Sequence, residues 1–106
     1  MYDLNETIEL MTSADYKNRF KAEYWQTKIR YDKLRMMIEK YKAGKLDFEP
    51  TCPICTLETQ SVWMLKYLDI LELRANLEGI DLGLRDSLKQ RLRADVISFL
   101  MLIVLR

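Results

Sequence analysis

Residues 15–43 read DYKNRFKAEYWQTKIRYDKLRMMIEKYKA and contain neither glycine nor proline. Straight-chain residues are frequent in this stretch, and they lose little rotamer freedom in a helix. A largely apolar stripe runs through it at alternating steps of four and three: Phe20, Tyr24, Thr27, Tyr31, Leu34, Ile38 and Tyr41. Because residues three and four apart share a helix face, the stretch predicts one amphipathic helix about 45 Å long.

The flanking residues supply a start and a stop for this helix. Residues 12–15, TSAD, carry side-chain oxygens that can accept the unpaired N–H groups of a first helical turn. Gly44 can adopt the left-handed conformation that ends a helix. Residues 1–11 also predict a short amphipathic helix, because three apolar residues follow helical spacing there: Leu4, Ile8 and Met11.

Residues 44–53, GKLDFEPTCP, form the predicted loop, since Pro50 and Pro53 forbid a continuing helix. Thr51 or Cys52 can cap a second helix whose first turn holds Pro53 and which ends at Gly79. Its predicted seam again steps by three and four: Leu57, Gln60, Met64, Tyr67, Leu71 and Arg74.

The fold prediction is therefore an all-α single domain over residues 1–106. Two long helices joined by a short loop are expected to pack as an antiparallel hairpin, here residues 13–79. Short helices are expected at both ends, and residues 80–106 are assigned to oligomerisation or to a tail.

Composition excludes several function classes for the 106-residue chain. It has no histidine, which excludes Ser-His and Cys-His catalysis and any histidine-ligated metal. Its formal net charge of +1 gives no bulk attraction to a nucleic-acid polymer. The N-terminus MYDLNETIELM lacks basic residues, so we expect no signal or transit peptide and a reducing cytosolic location. We predict neither an enzyme nor a bound cofactor.

The C-terminal segment differs in kind from the two long helices. A basic amphipathic stretch, residues 84–95, precedes VISFLMLIVL at residues 96–105, where nine of ten residues are apolar. That run is too short to span a bilayer, which takes about 20 residues. Burial against partner subunits or the core is favoured over membrane contact, because an exposed patch of this kind promotes aggregation.

Cys52-Pro-Ile-Cys55 has the spacing of half a zinc knuckle or of a redox dithiol. Four ligands are needed for structural zinc, so only a dimer sharing one ion would complete the site. The favoured interpretation is that Pro53 starts a helix and both thiols fill space.

Gln60 and Arg74 interrupt the otherwise apolar seam of the second helix. A guanidinium at a helix seam needs a carboxylate, a carbonyl or an anionic ligand. Arg74 is thus expected to pair with Glu23 or Asp32 across the hairpin, to lie at the solvent-exposed end of the seam, or to bind phosphates together with other subunits. The residues alone favour the structural pairing.

Aromatic and basic residues alternate in the first long helix, an arrangement that suits stacked bases and phosphates. Most of the aromatics lie on the packing stripe and are expected in the core. Tyr16, Trp25 and Arg30 fall off the stripe and are the surface candidates.

The two long helices resemble a family of small phage and prophage proteins named after a crAssphage gene. In the first helix the resemblance lies in Arg19, Glu23 and the pair Lys33-Leu34. In the second it lies in five residues at steps of four, three, four and three: Gln60, Met64, Tyr67, Leu71 and Arg74. The resemblance covers about residues 14–80, and the tail after Leu82 departs from it.

This hairpin is similar in turn to phage sponge proteins that block CBASS and Thoeris immunity. Those are hexamers of helical hairpins that sequester cyclic oligonucleotides or cyclic ADP-ribose signals without cleaving them. Tyr67 and Arg74 fill two of their positions, an aromatic residue seven before a terminal arginine. Their aromatic-His-x-Pro segment is missing here.

The resemblance implies a phage counter-defence protein in the cytoplasm of the infected bacterium, acting as a homo-oligomer, with a hexamer as the expected number. Its ligand would be a cyclic nucleotide signal, with no nucleic-acid polymer or membrane as partner. Arg74 with Lys28 or Arg30 would neutralise phosphates. The remaining predicted ligand-binding residues, of which the aromatic ones would stack on bases, are Tyr67, Tyr16, Trp25 and Gln60. The alternative is a protein-interaction inhibitor such as an anti-CRISPR or a host-takeover factor.

Overall fold

The computed structural model describes residues 2–84 and builds them from three helices. These are α1, Glu6–Met11; α2, Tyr16–Lys42; and α3, Ile54–Glu78. No strand occurs between residues 2 and 84, so the prediction of an all-α chain is confirmed for that part. Residues 80–84 continue past α3 without helix. The predicted C-terminal helix and the apolar run at residues 96–105 lie outside the described residues.

Capping contacts explain where α2 begins. The Asp15 carboxylate accepts a hydrogen bond from the Lys17 N–H at 3.0 Å, which pairs one of the orphan donors of the first turn. Arg19 Nη1 reaches back and donates to the carbonyls of Ser13 and Ala14, both at 2.9 Å. The predicted start at residues 12–15 is confirmed in this form.

The start of α3 differs from the prediction. The residue that caps it is Pro53, with no side-chain cap, whereas Thr51 or Cys52 was expected. Proline has no N–H to satisfy, and its carbonyl accepts the N–H groups of Thr56 and Leu57. At the other end, Gly79 has φ of 70° and Ile80 N–H donates to the Ala75 carbonyl at 2.8 Å. The predicted stop at Gly79 is confirmed.

A core of eight buried residues joins α2, α3 and the chain that follows α3: Phe20, Tyr24, Trp25, Leu68, Leu71, Ala75, Ile80 and Leu82. The Trp25 indole N–H donates to the buried Leu82 carbonyl at 3.0 Å, which fixes the chain after α3 against α2. Lys42 Nζ lies 2.9 Å from Glu58 Oε1 beside the 44–53 loop. Each fully buried aromatic or aliphatic side chain contributes about 1.5–3 kcal/mol by leaving water.

The buried face of α3 is rotated by one residue from the predicted seam. Ser61, Leu68 and Ala75 are buried, whereas Gln60, Tyr67 and Arg74 are exposed. Ser61, Leu68 and Ala75 alternate with Leu57, Met64 and Leu71 at steps of four and three, as the predicted seam residues also do. Spacing alone therefore could not decide which set of residues is buried. Burying Leu68 and Ala75 costs no polar desolvation, while burying the Arg74 guanidinium would.

The short helix α1 is held to α2 by a buried hydroxyl. Thr7 is fully buried; its Oγ1 donates to the Leu4 carbonyl at 2.6 Å and accepts from Gln26 Nε2 at 3.1 Å. Both hydrogen-bonding capacities of the hydroxyl are therefore used. This pairing allows a polar side chain inside the α1–α2 contact.

A second apolar face of α3 points away from the core. We call it the outer stripe of α3; it steps by seven, three and four through Trp63, Ile70, Leu73 and Leu77. Trp63 is 63% exposed and Leu77 is 72% exposed. Despite this apolar surface, none of the helices in residues 2–84 has the length and apolar character needed to cross a membrane.

Candidate functional site

Five of the predicted ligand-binding residues lie along one edge of the α2–α3 contact, which we call the edge strip. On α2 it comprises Tyr16, Glu23 and Arg30; on α3 it comprises Arg74, Tyr67 and Gln60. In the order given, the residues of the two helices define the first, second and third positions of the edge strip. Each step along either helix is seven residues, close to two turns, so successive positions lie about 10 Å apart on one face. Hydrogen bonds join the helices at the first two positions, through Tyr16 with Arg74 and Glu23 with Tyr67.

Arg74 lies at the centre of the first position. Its Nη2 donates to the Tyr16 hydroxyl at 2.7 Å, and its Nε donates to Glu78 Oε2 at 3.2 Å. The guanidinium carbon lies 5.0 Å from the centre of the buried Phe20 ring, a cation–π distance. Arginine carries five N–H donors, and these contacts use two of them. The other three make no hydrogen bond to residues 2–84.

Tyr16 links the two sides of this position. Its hydroxyl donates to Glu78 Oε1 at 2.9 Å and accepts from Arg74, while its ring is 45% exposed. The hydrogen bond to the Glu78 carboxylate, chiefly, raises the pKa of Tyr16 above its usual 10.0. Tyr16 therefore remains a neutral phenol at physiological pH, with its ring face partly open to solvent.

Tyr67 occupies the second position and donates its hydroxyl to Glu23 Oε2 at 2.6 Å. That hydrogen bond, with a smaller effect of desolvation, raises the pKa of Tyr67 to about 12. The side chain is 44% exposed, so the phenol is fixed at its tip while part of its ring faces solvent.

Arg30 and Gln60 occupy the third position of the edge strip. Arg30 follows Glu23 by seven residues on α2, and Gln60 precedes Tyr67 by seven residues on α3. Both side chains are exposed, and neither hydrogen-bonds with any other described residue. Along its length the edge strip therefore presents two cationic side chains, two half-exposed phenols, one amide and the Glu23 carboxylate.

Trp25 and Lys28, two further predicted ligand-binding residues, lie elsewhere. Trp25 was expected on the surface but is only 4% exposed. It lies nine residues from Tyr16, about 180° around the helix, and its indole is used in the core. Lys28 pairs with Asp32 Oδ1 at 2.7 Å and lies 5.8 Å from the Tyr31 ring centre. Neither residue belongs to the edge strip.

The partners predicted for Arg74 were wrong. Glu23 bonds Tyr67 and Asp32 bonds Lys28, whereas Arg74 bonds Glu78 and Tyr16. Glu78 was missed altogether. Its position four residues after Arg74 is the helical spacing at which opposite charges pair, and this signal was present in the sequence.

The two cysteines are free thiols; Cys52 is half-buried and Cys55 is exposed. Within residues 2–84 no group of three or more acidic, cysteine or histidine side chains is placed to hold a metal. The alternative of a zinc ion shared between subunits is not tested by these residues.

Comparison with known proteins gives one match. A family model described as Sequestin matches residues 14–77, which include α2, the loop and all of α3 except its last residue. No curated protein and no solved structure matches the chain. The matched region contains every residue of the edge strip.

Proposed function

The chain belongs to the Sequestin family, and from that premise we propose that it captures a cyclic nucleotide immune signal and withholds it without cleaving it. The family name itself suggests a sequestering protein. The finer proposal, of a phage counter-defence sponge in the cytoplasm of an infected bacterium, rests on the resemblance of the Gln60–Arg74 pattern to anti-CBASS and anti-Thoeris sponges. The edge strip is the proposed binding surface.

The observation that carries this proposal is the state of Arg74. Its guanidinium is oriented by Glu78, by the Tyr16 hydroxyl and by the Phe20 ring, yet three of its N–H donors remain unused by residues 2–84. A planar guanidinium fixed in this way suits bidentate contact with a phosphate. Because it is held in place before binding, little side-chain entropy is lost when the ligand arrives.

The tyrosines supply the second element of recognition. Tyr16 and Tyr67 are anchored through their hydroxyls and keep part of each ring exposed. Stacking of a base on an aromatic ring contributes about 1–3 kcal/mol and tolerates any base. Tyr16 on α2 and Tyr67 on α3 belong to successive positions of the edge strip, about 10 Å apart, with Arg74 beside Tyr16. Together they form a surface of the size of a cyclic dinucleotide. Arg30 at the third position would meet a second phosphate.

Binding alone accounts for the proposed activity. Both phenols of the edge strip donate to carboxylates, and their raised pKa values keep them protonated at physiological pH, so neither is activated as a nucleophile. A sponge requires affinity and copy number only. We propose that the antiparallel α2–α3 hairpin is the subunit of a homo-oligomer, a hexamer by resemblance, in which neighbouring edge strips cover the ligand.

Isothermal titration calorimetry tests the proposal directly. The full chain is titrated with cyclic di- and trinucleotides and with cyclic ADP-ribose isomers, and the recovered ligand is checked by chromatography for cleavage. We expect binding of at least one ligand with intact ligand recovered. Absence of binding across the panel at micromolar protein would refute the proposal.

Matched variants locate the site. Arg74→Ala is expected to weaken binding about 10- to 100-fold, the equivalent of a lost charge-assisted hydrogen bond of about 1.5–3 kcal/mol. Arg35→Ala, on the same helix pair but paired only weakly with Glu39, is the control. Tyr67→Ala is compared with Tyr41→Ala, since Tyr41 is 42% exposed but lies near the loop. If the edge-strip variant and its control weakened ligand binding equally in either comparison, the edge strip would not be the binding site.

A second candidate is a protein-interaction inhibitor, and the exposed outer stripe of α3 favours it. A helix face of this kind is a common protein-binding surface. The oligomeric state separates the two functions. Light scattering that finds a monomer, together with no nucleotide binding, would favour the inhibitor over the sponge.

A further inference from the structure

Two carboxylates lie on or beside the edge strip, and their hydrogen bonding differs. Glu78, beside the first position, uses both oxygens within the protein: Oε1 accepts from the Tyr16 hydroxyl at 2.9 Å and Oε2 accepts from Arg74 Nε at 3.2 Å. Glu23, at the second position, uses one. Its Oε2 accepts from the Tyr67 hydroxyl at 2.6 Å, while its Oε1 makes no hydrogen bond to residues 2–84. Of the two carboxylates, Glu23 alone keeps an oxygen available to a ligand.

The charge of Glu23 does not suit a surface that binds phosphate groups alone. Glu23 lies about 10 Å along the strip from Arg74 on one side and from Arg30 on the other. A negative charge at that position repels an anionic ligand. None of the ion pairs among residues 2–84 includes Glu23, and its side chain is half-buried. A carboxylate in this state is stabilised by a hydrogen-bond donor, which indicates a ligand that carries donors as well as phosphate.

The Tyr67 ring and the Glu23 carboxylate form one unit. The hydroxyl at the tip of the ring is fixed on Glu23, and the side chain of Tyr67 is 44% exposed. A base or a sugar that lies on the Tyr67 ring therefore has the Glu23 carboxylate beside its edge. An ionised carboxylate only accepts hydrogen bonds, through two oxygens. It therefore matches groups that present adjacent donors.

Two groups found in nucleotides present adjacent donors. One is the diol of a ribose with free 2′ and 3′ hydroxyls, and carboxylates are known to accept from ribose hydroxyls. The other is the Watson–Crick edge of guanine, where N1–H lies beside the N2 amino group. Adenine has an acceptor, N1, beside its N6 amino group, and the lone pair of that acceptor would face the carboxylate.

We propose that Glu23 determines which cyclic nucleotide the edge strip binds, because its Oε1 accepts from adjacent donors of the ligand, either a ribose diol or a guanine edge. This inference rests on the proposed function and names a second group that the ligand must carry. A nucleotide whose phosphate contacts Arg74 is long enough to place its base or its ribose beside Glu23. A ligand without adjacent donors would meet the charge of Glu23 with no compensating hydrogen bond.

Calorimetry of the full chain with three ligands distinguishes the two sources of donors. Cyclic di-GMP carries guanine edges but no ribose diol, cyclic ADP-ribose carries ribose diols but no guanine, and cyclic di-AMP carries neither. We expect cyclic di-AMP to bind about 10-fold or more weakly than the tightest of the three. Tightest binding of cyclic di-GMP assigns the donors to guanine, and tightest binding of cyclic ADP-ribose assigns them to the ribose.

Glu23→Gln and Glu78→Gln are matched variants, because each removes one negative charge and keeps the length of the side chain. Loss of charge alone predicts tighter binding of an anionic ligand in both. In Glu23→Gln, however, the amide oxygen can still accept from Tyr67 while the amide nitrogen, a donor, faces the donors of the ligand. We expect this variant to bind the tightest ligand about 10- to 100-fold more weakly and to bind cyclic di-AMP no more weakly than the wild type does. Glu78→Gln should bind all three ligands more tightly.

Three results would overturn the inference. Unchanged or tighter binding of the tightest ligand by Glu23→Gln would show that Glu23 acts only through its charge. Equal weakening of all three ligands would give Glu23 a structural role, through its hydrogen bond to Tyr67. Tightest binding of cyclic di-AMP would show that adjacent donors are not recognised. In each of these cases the wild-type chain still binds a cyclic nucleotide, so the proposed function stands, whereas absence of binding across the panel would refute both.

Discussion

Two tyrosine–glutamate hydrogen bonds across the α2–α3 contact allow a controlled measurement of how burial changes the contribution of a hydrogen bond to stability. Tyr24 donates to Glu72 Oε1 and Tyr67 donates to Glu23 Oε2, both at 2.6 Å. Tyr24 is fully buried, whereas Tyr67 is 44% exposed. Replacing either tyrosine with phenylalanine removes one hydroxyl and keeps the ring, so the two variants differ mainly in how much water reaches the carboxylate left behind.

We expect Tyr24→Phe to destabilise the fold by about 2 kcal/mol. A hydrogen bond to a charged group contributes about 1.5–3 kcal/mol when water cannot replace the lost donor. For Tyr67→Phe we expect about 0.5 kcal/mol, because water can approach the Glu23 carboxylate. Urea unfolding followed by circular dichroism at 222 nm measures both values. Equal losses in the two variants would refute the reasoning that burial sets the contribution of this hydrogen bond.

The pH dependence of the same variant gives an independent test. Burial, followed by the hydrogen bond to Glu72, raises the pKa of Tyr24 well above its usual 10.0. Above pH 10 the unfolded chain therefore releases this proton while the folded chain keeps it, and stability falls by about 1.4 kcal/mol per pH unit. This contribution is fully present below pH 10. The advantage of the wild type over Tyr24→Phe should shrink by about 1.4 kcal/mol between pH 8 and pH 11, and a constant difference would contradict the assignment.

Three further predictions concern the end of α3, the contact between α2 and the chain after α3, and the edge strip. Gly79→Ala should cost about 1–2 kcal/mol from the left-handed backbone alone, since an added Cβ meets no atom within 4 Å; Gly79→Asn should cost less than half of that in thermal unfolding, and a reversed order would contradict this cause. Trp25→Phe should cost about 2 kcal/mol in urea unfolding, because the buried Leu82 carbonyl loses its donor; a loss below about 0.5 kcal/mol would show that water replaces the indole there. Glu78→Gln removes a negative charge 3.2 Å from Arg74 Nε and should tighten binding of an anionic ligand several-fold in calorimetry, whereas weaker binding would mean that orientation of Arg74 outweighs charge.

The extent of the helices could be predicted from the sequence because their ends depend on single residues. Asp15 caps α2, and Gly79 ends α3 where expected. In each case the determinant is local: a side-chain oxygen beside a free N–H, or a residue without Cβ at a positive φ. The start of α3 was missed by one or two residues because Thr51, Cys52 and Pro53 all suit the first turn, and only the folded loop selects among them.

The rotation of α3 could not be predicted, since its sequence is apolar on more than one face. The row that includes Leu68 and Ala75 and the row that includes Tyr67 and Arg74 share Met64 and Leu71, and both follow heptad spacing. Only packing against the aromatic core of α2 decides between them. The burial of Trp25 could not be predicted for a similar reason. It depends on a contact with Leu82, which lies 57 positions away in the sequence.

That one-residue rotation has a functional consequence. With Leu68 and Ala75 in the core, Tyr67 and Arg74 beside them lie at the edge of the α2–α3 contact and not inside it. Arg74 is then oriented by Glu78 and Tyr16, while three of its N–H groups make no hydrogen bond to residues 2–84. In the predicted rotation Arg74 would be buried and would need to be fully paired within the hairpin, which would leave it no capacity for a ligand. The proposed binding of an anion by the residues that resemble the sponge pattern therefore requires that they lie just outside the core.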